Sequence, residues 1–235
     1  MMPAEESVTL NEERIKEFLG AFPREFMQLG PQEQLLSAGI YRLLASKAAP
    51  VSLVELADSL EMTTDDVQEI LAGWTGLYYD HADHIIGYWG LSIQGMGHRF
   101  IVDGNTLYTW CAWDSLFIPQ IIGKTAQVQS VDPETKEIIQ LTVSPERVVA
   151  VEPRNAVTSF MIPRADEMRS DVIKSFCHYL HFFTSQETAK KWVSASERKA
   201  DLVILSLIEA YRIGVEKNRL QYGETIGAPV AGAVA

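Results

Sequence analysis

Cys111 and Asp114 lie three residues apart in the stretch Leu107-Tyr108-Thr109-Trp110-Cys111-Ala112-Trp113-Asp114-Ser115-Leu116-Phe117. On a helix that spacing places a thiol and a carboxylate on one face, close enough to share a proton. The chain has one other cysteine, Cys177, in Lys174-Ser175-Phe176-Cys177-His178-Tyr179-Leu180-His181-Phe182-Phe183. Two cysteines permit a disulfide, a redox pair, part of a metal site or two inert buried thiols, and in a reducing compartment thiols are the default. Adding His178 and His181 gives four formal zinc or copper ligands. However, no compact pair such as CxxC is present, and neighbours 177 and 178 point to opposite sides of an extended chain, which argues against a dedicated zinc site. Trp110, Trp113, Tyr108, Phe176, Phe182 and Phe183 surround these motifs. Most of them read as core, since aromatic residues dominate cores. Trp110 and Phe176, adjacent to the cysteines, are the candidates for a substrate pocket.

The elements that position these groups belong to a chain of 235 residues, long enough for one large domain or two small ones. The net charge of −11 opposes a nucleic-acid partner, because such binding rests on Lys and Arg neutralising phosphates. No run approaches the ~20 apolar residues that span a bilayer, and the acidic start Met1-Met2-Pro3-Ala4-Glu5-Glu6 is unlike a signal peptide. No membrane partner and a cytoplasmic location are therefore expected.

The fold expected is α+β, with a helical, three-helix winged-helix-like module over residues 1–92 and a catalytic domain of antiparallel sheet and packed helices over 93–235. Ile15, Phe18, Leu19 and Phe22 recur at helical spacing, with Asn11 as N-cap and Pro23 interrupting the run. Leu35, Leu36, Ile40, Leu43 and Leu44 mark a second helix from Pro31 to about Lys47. Val51–Leu60 and Thr64–Leu71 resemble a helix-turn-helix, Thr64 capping its second helix. Asp65, Asp66 and Glu69 on that helix repel phosphates, and no Lys or Arg occurs between Lys47 and Arg99, so the module reads as structural. Gly76–Asp80 and His84–Trp89 read as a hairpin. Strands are expected at Arg99–Val102, Ala126–Val131, Ile138–Val143, Val148–Glu152 and Ala156–Ile162, with a helix or tight turn from Leu107. Cys177 falls where a helix meets a strand or loop, and Ser185 opens a helix through Trp192 with a capping-box-like start. A last helix is expected from about Asp201 to Asn218, with Ile204, Ile208, Tyr211 and Val215 as its apolar stripe. The small-residue tail Gly227–Ala235 reads as disordered.

Three stretches carry a resemblance: LYTWCAWDSLFIPQIIGKTAQV from Leu107, LTVSPERVVAVEP from Leu141 and KSFCHYLHFFTS from Lys174. They resemble, in order, segments of the organomercurial lyases, also called alkylmercury lyases, and the likeness runs over roughly residues 90 to 220. The resemblance implies protonolysis of the carbon–mercury bond in alkyl- and arylmercury compounds, giving a hydrocarbon and Hg(II) in a mercury-resistance role. By the same resemblance Cys111 and Cys177 are the mercury ligands and Asp114 the proton carrier and possible third ligand. Mercury(II) is soft, so thiolates outcompete carboxylate and imidazole for it. No cofactor is implied. The implied partners are the organomercurial substrate, small thiols that release the product and a mercuric reductase that accepts Hg(II). Family sequences often carry a further cysteine at position 178 and another near Val131-Asp132; this chain has neither. The chief alternative is a non-catalytic soft-metal carrier or sensor for mercury or copper using the same thiols. A metal-responsive DNA-binding regulator and a dithiol redox enzyme fit less well, given the acidic helix and the absence of a thioredoxin-like motif.

Overall fold

The computed structural model describes residues 12–22, 27–162 and 165–226. The expected Asn11 cap, the interruption at Pro23 and the tail Gly227–Ala235 lie outside the described residues.

Among the described residues the chain opens with the helices α1 (Glu12–Gly20), α2 (Pro31–Lys47), α3 (Leu53–Leu60) and α4 (Thr64–Leu71). Ile15, Phe18, Leu19 and Phe22 are buried, as their spacing predicts. Helix α2 starts where Pro31 presets the backbone and Glu33 accepts the Gly30 N–H at 2.6 Å. It buries Leu36, Ile40, Tyr41 and Leu44. Helix α4 is capped by Thr63, whose side chain accepts from Asp66 N, so the expected cap at Thr64 is displaced by one residue. Thr63 is the residue with extended backbone (φ −80°, ψ 151°), which lets its hydroxyl turn back to the third helical N–H.

An eight-stranded antiparallel sheet follows, in the order β1-β2-β3-β5-β4-β6-β7-β8. Its strands are β1 (Leu77–Tyr79), β2 (Ile85–Tyr88), β3 (Leu91–Ser92), β4 (His98–Val102), β5 (Asn105–Thr109), β6 (Ala126–Val131), β7 (Ile138–Val143) and β8 (Val148–Glu152). The β1–β2 hairpin forms as expected, and β2 and β3 carry its hydrogen bonding on to β5 and β4. Leu107, expected to open a helix or tight turn, is instead in β5: Leu107 pairs with Phe100, and the turn begins only after Thr109. Strands β6 and β7 alternate buried and exposed residues, the mark of a sheet with one covered face. Helix α5 (Asp114–Ile122) leaves β5 and covers that face, together with helices α2 and α8 (Leu207–Tyr222).

A second sheet of three strands has the order β10-β9-β11, formed by β9 (Val157–Met161), β10 (Phe182–Phe183) and β11 (Leu202–Ser206). Between β9 and β10 run helix α6 (Ala165–Ser175) and a 3₁₀ turn at Cys177–Tyr179. Helix α7 (Gln186–Ala195) precedes β11. The last helix therefore starts at Leu207, later than the expected Asp201. Leu202–Ser206 pair residue for residue with Met161–Val157, a tertiary pairing that overrides the helical reading of Ile204. Ser206 and Glu209 form a reciprocal capping box that fixes the new start. Ile208, placed in the expected apolar stripe, is 66% exposed; the face actually buried holds Ala210, Tyr211, Ile213, Lys217 and Gln221. Among the described residues no helix is long and apolar enough to cross a membrane.

Candidate functional site

Strand β5 delivers Trp110 and Cys111 into a tight turn ahead of α5. Trp110 N–H donates to Gly90 O at 3.0 Å, and Thr109 Oγ1–H donates to Cys111 O at 3.1 Å. Cys111 is thus not on the helix, contrary to the simplest reading of its spacing from Asp114. Asp114 opens α5 and folds back, its Oδ2 accepting the Cys111 N–H at 2.9 Å. This hydrogen bond brings the side chains together as a helix face would have done.

Cys177 arrives from the other side, at the start of the 3₁₀ turn. Strand β9 holds that turn through Ser159, whose Oγ–H donates to Tyr179 O at 2.7 Å and whose Oγ accepts the His181 N–H at 2.9 Å. The two cysteine turns are tied directly, Ala112 N–H donating to Leu180 O at 3.2 Å. One sulfur each from Cys111 and Cys177 and a carboxylate oxygen of Asp114 lie within 4.8 Å of one another. Neither His178 nor His181 joins this set: their rings pair with each other at 6.4 Å, and His181 packs edge-on to Trp192.

The three groups are nearly dry, with 0% exposure at Cys111, 5% at Cys177 and 6% at Asp114. Burial pushes the Cys111 thiol up, reinforced by its hydrogen bond to Cys177 and by the Asp114 charge. At Cys177 the hydrogen bond from Cys111 favours the thiolate, but burial and Asp114 together outweigh it, and the net shift is upward. Burial pushes Asp114 up to about 6, against opposing pulls from the Cys111 hydrogen bonds and from Lys217. The resting site therefore holds protonated thiols beside a carboxyl that titrates near neutrality, a good arrangement for passing protons.

Of the pocket candidates, Trp110 is buried against Tyr78, their rings meeting edge-on at 5.2 Å. Phe176 sits in an aromatic cluster with Phe22 (5.7 Å), Phe160 (6.0 Å) and Trp113 (6.1 Å). Trp113 itself is pinned by its indole N–H to Ala210 O at 3.0 Å. A surface cleft of about 930 Å³ between α1 and α8 contains none of Cys111, Asp114 and Cys177.

Two contributors escaped the sequence reading. Lys217 on α8 is 1% exposed, with its ammonium 4.2 Å from the centre of the Phe117 ring. Burial pushes it down to about 7, while the Asp114 charge acts in the opposite sense. Its signal was present: Ala210, Ile213, Lys217 and Gln221 follow helical spacing, which puts a lysine in an apolar stripe. Gly90, against the Asp114 side chain, had no comparable signal.

Comparison with known proteins places the chain in a family. The sequence profile of the alkylmercury lyase family matches residues 91–217, a span that includes Cys111, Asp114 and Cys177. The alkylmercury lyase of Streptomyces lividans is 36% identical over 171 residues, covering 73% of this chain and 76% of the relative. That of Staphylococcus epidermidis is 34% identical over the same shares. A crystal structure of the mercury-bound form of MerB2 superposes with a TM-score of 0.68 over 89% of this chain and 100% of that one; at 22% identity this likeness speaks for the fold. The chain belongs to the alkylmercury lyase family.

Proposed function

We propose that this protein cleaves the carbon–mercury bond of alkyl- and arylmercury compounds, with Cys111 and Cys177 as mercury ligands and Asp114 as proton carrier. The observation that carries the reading is the convergence of two buried thiols and a near-neutral carboxyl within 4.8 Å, in a member of this family. At pH 7 roughly nine-tenths of Asp114 is ionised if it titrates near 6, so it can take the thiol proton as sulfur captures mercury. One thiol displaces the counter-ligand X of R–Hg–X, and its proton leaves as HX. The second thiol adds to mercury and gives its proton to Asp114. The carbon–mercury electron pair then takes that proton, forming R–H. The balance is RHgX plus two thiols giving RH, HX and a mercury bis-thiolate, with mercury remaining Hg(II) throughout. The soft metal favours both sulfurs, and the dry surroundings strengthen the pull of two thiolates on mercury.

No cofactor enters this scheme. Two small external thiols release Hg(II) by exchange and restore both cysteines, and a mercuric reductase is the natural acceptor of the released metal. A cytoplasmic, reducing location keeps the thiols free. Residues 1–92 serve as a winged-helix-like structural module, supported by α3, α4 and the β1–β2 hairpin. The exposed Asp65, Asp66 and Glu69 disfavour DNA as its partner.

The test is hydrocarbon release from methylmercury or phenylmercury with excess small thiol, comparing the unmodified chain with Cys111→Ala, Cys177→Ala and Asp114→Ala. Multiple turnovers by the unmodified protein, lost in each variant, are expected. Tight mercury binding with no hydrocarbon above a thiol-only control would instead leave a soft-metal carrier.

A further inference from the structure

The Asp114 carboxylate is fixed at both oxygens, and only one of the two constraints comes from the cysteine motif. Oδ2 accepts the Cys111 N–H. Oδ1 lies against Gly90: a Cβ at that position would stand 2.5 Å from both Cγ and Oδ1 of Asp114 and 3.0 Å from its Cβ. Nothing larger than hydrogen fits there, and Gly90 also holds φ +95°, a conformation that side chains oppose.

The turn that carries Gly90 is itself tightly held. Gly90 O accepts the Trp110 N–H at 3.0 Å, which links the turn to the residue before Cys111. Trp89 O accepts the Tyr41 hydroxyl at 2.5 Å, and Trp89 N–H donates to Gly76 O at 3.1 Å. Trp89 sits at φ +26°, strained for a residue with a bulky side chain, so the surrounding bonds must hold it there. Tyr41 is buried on α2, and Tyr41, Trp89 and Gly90 all precede the residues 91–217 matched by the family profile. The helical N-terminal region thereby reaches the reactive carboxyl through one hydrogen bond and one backbone wall.

We propose that the Trp89–Gly90 turn, braced by Tyr41, is a positioning element that holds the Asp114 carboxylate against the Cys111 thiol, with Gly90 the residue in contact. The proposal rests on reading Asp114 as the proton carrier. The simpler role for Gly90 is to satisfy its turn alone. Gly104 separates the two: it has a similar φ of +82°, but a Cβ there meets nothing within 4 Å.

The experiment compares Gly90→Ala, Gly104→Ala and Tyr41→Phe in the full chain. It measures kcat and KM for hydrocarbon release from phenylmercury, Hg(II) binding by the thiolate-to-mercury ultraviolet band, and thermal unfolding. Displacing the carboxylate by an ångström should lower kcat of Gly90→Ala by about 100-fold, while one Hg(II) still binds the two thiols as in the unmodified chain. Gly104→Ala, which adds only backbone strain, should stay within about twofold of the unmodified kcat, and Tyr41→Phe should lose about tenfold. Turnover by Gly90→Ala within about twofold of normal overturns the proposal, as does loss of Hg(II) binding in parallel with kcat. If Gly90→Ala does not fold, Tyr41→Phe decides, and an unchanged kcat there overturns it. Absence of hydrocarbon from the unmodified chain would instead refute the lyase reading, a distinguishable result.

Discussion

Replacing Asp114 with Asn should abolish hydrocarbon release and at the same time stabilise the protein. Asp114 is 6% exposed, and burial raises it from its ordinary 3.8 to about 6. At about 1.4 kcal/mol per pKa unit, the difference is worth about 3 kcal/mol. The folded state holds the Asp114 proton more tightly than the unfolded chain does. Stability from this group is therefore present below about pH 4 and falls as pH rises toward 6, and the full cost is felt above that. Asn keeps an oxygen for the Cys111 N–H and carries no charge to bury. At pH 8 the Asn variant should exceed the unmodified protein by about 3 kcal/mol, or about 6–12 °C in Tm for a chain of this size, and the gap should close by pH 4. Lys217 loses the attraction of the Asp114 charge in the variant, which trims the gain without reversing its sign. The assay is thermal or urea unfolding of the reduced, mercury-free protein at pH 4, 6 and 8. A difference independent of pH, or an Asn variant less stable at pH 8 than its parent, would refute the argument.

Lys217→Met should stabilise the protein where the lysine would be charged. Burial lowers it from 10.5 to about 7, so its cost is full below pH 7 and fades as pH rises toward 10.5. Urea midpoints should show a gain of about 3–5 kcal/mol at pH 6, shrinking by pH 10. Ser206→Ala removes the hydroxyl that accepts Glu209 N–H at the start of α8, at a cost of about 1 kcal/mol. Thermal unfolding should register that loss, with turnover per folded molecule unchanged.

What the sequence made legible was what short-range physics decides. Strands β6 and β7 were readable at Ala126–Val131 and Ile138–Val143, and their observed limits coincide with those expected. The residues of the site were legible as types and spacing, yet the reason Asp114 meets Cys111 is a back-folded hydrogen bond across a turn and not a shared helix face. Leu202–Ser206 misled because its apolar run suits a helix or a strand equally well; only the distant β9 supplied the partner that made it a strand. The meeting of Cys111 with Cys177 was beyond any local signal, since it depends on Ala112 and Leu180 bonding across the sequence and on Ser159 of the second sheet. Gly90 was hidden for the same reason, because its role lies in which side chain touches it.

Burial links the chemistry of this site to its cost. In water two thiols and an aspartate would rest with the carboxylate ionised and little tendency to hold a proton between them. Buried to 6% exposure or less, the same groups keep the thiols protonated and lift the carboxyl toward neutrality. The protons that mercury must displace are thus stored where carbon will need one. The Cys111 hydrogen bonds limit this effect and Lys217 adds a smaller pull in the same sense; without them burial would carry the carboxyl higher and leave less of it ionised to accept a thiol proton. A drier site is therefore not a better one. The hydrogen bonds from Cys111, with the buried lysine adding to them, keep the proton carrier within reach of neutral pH.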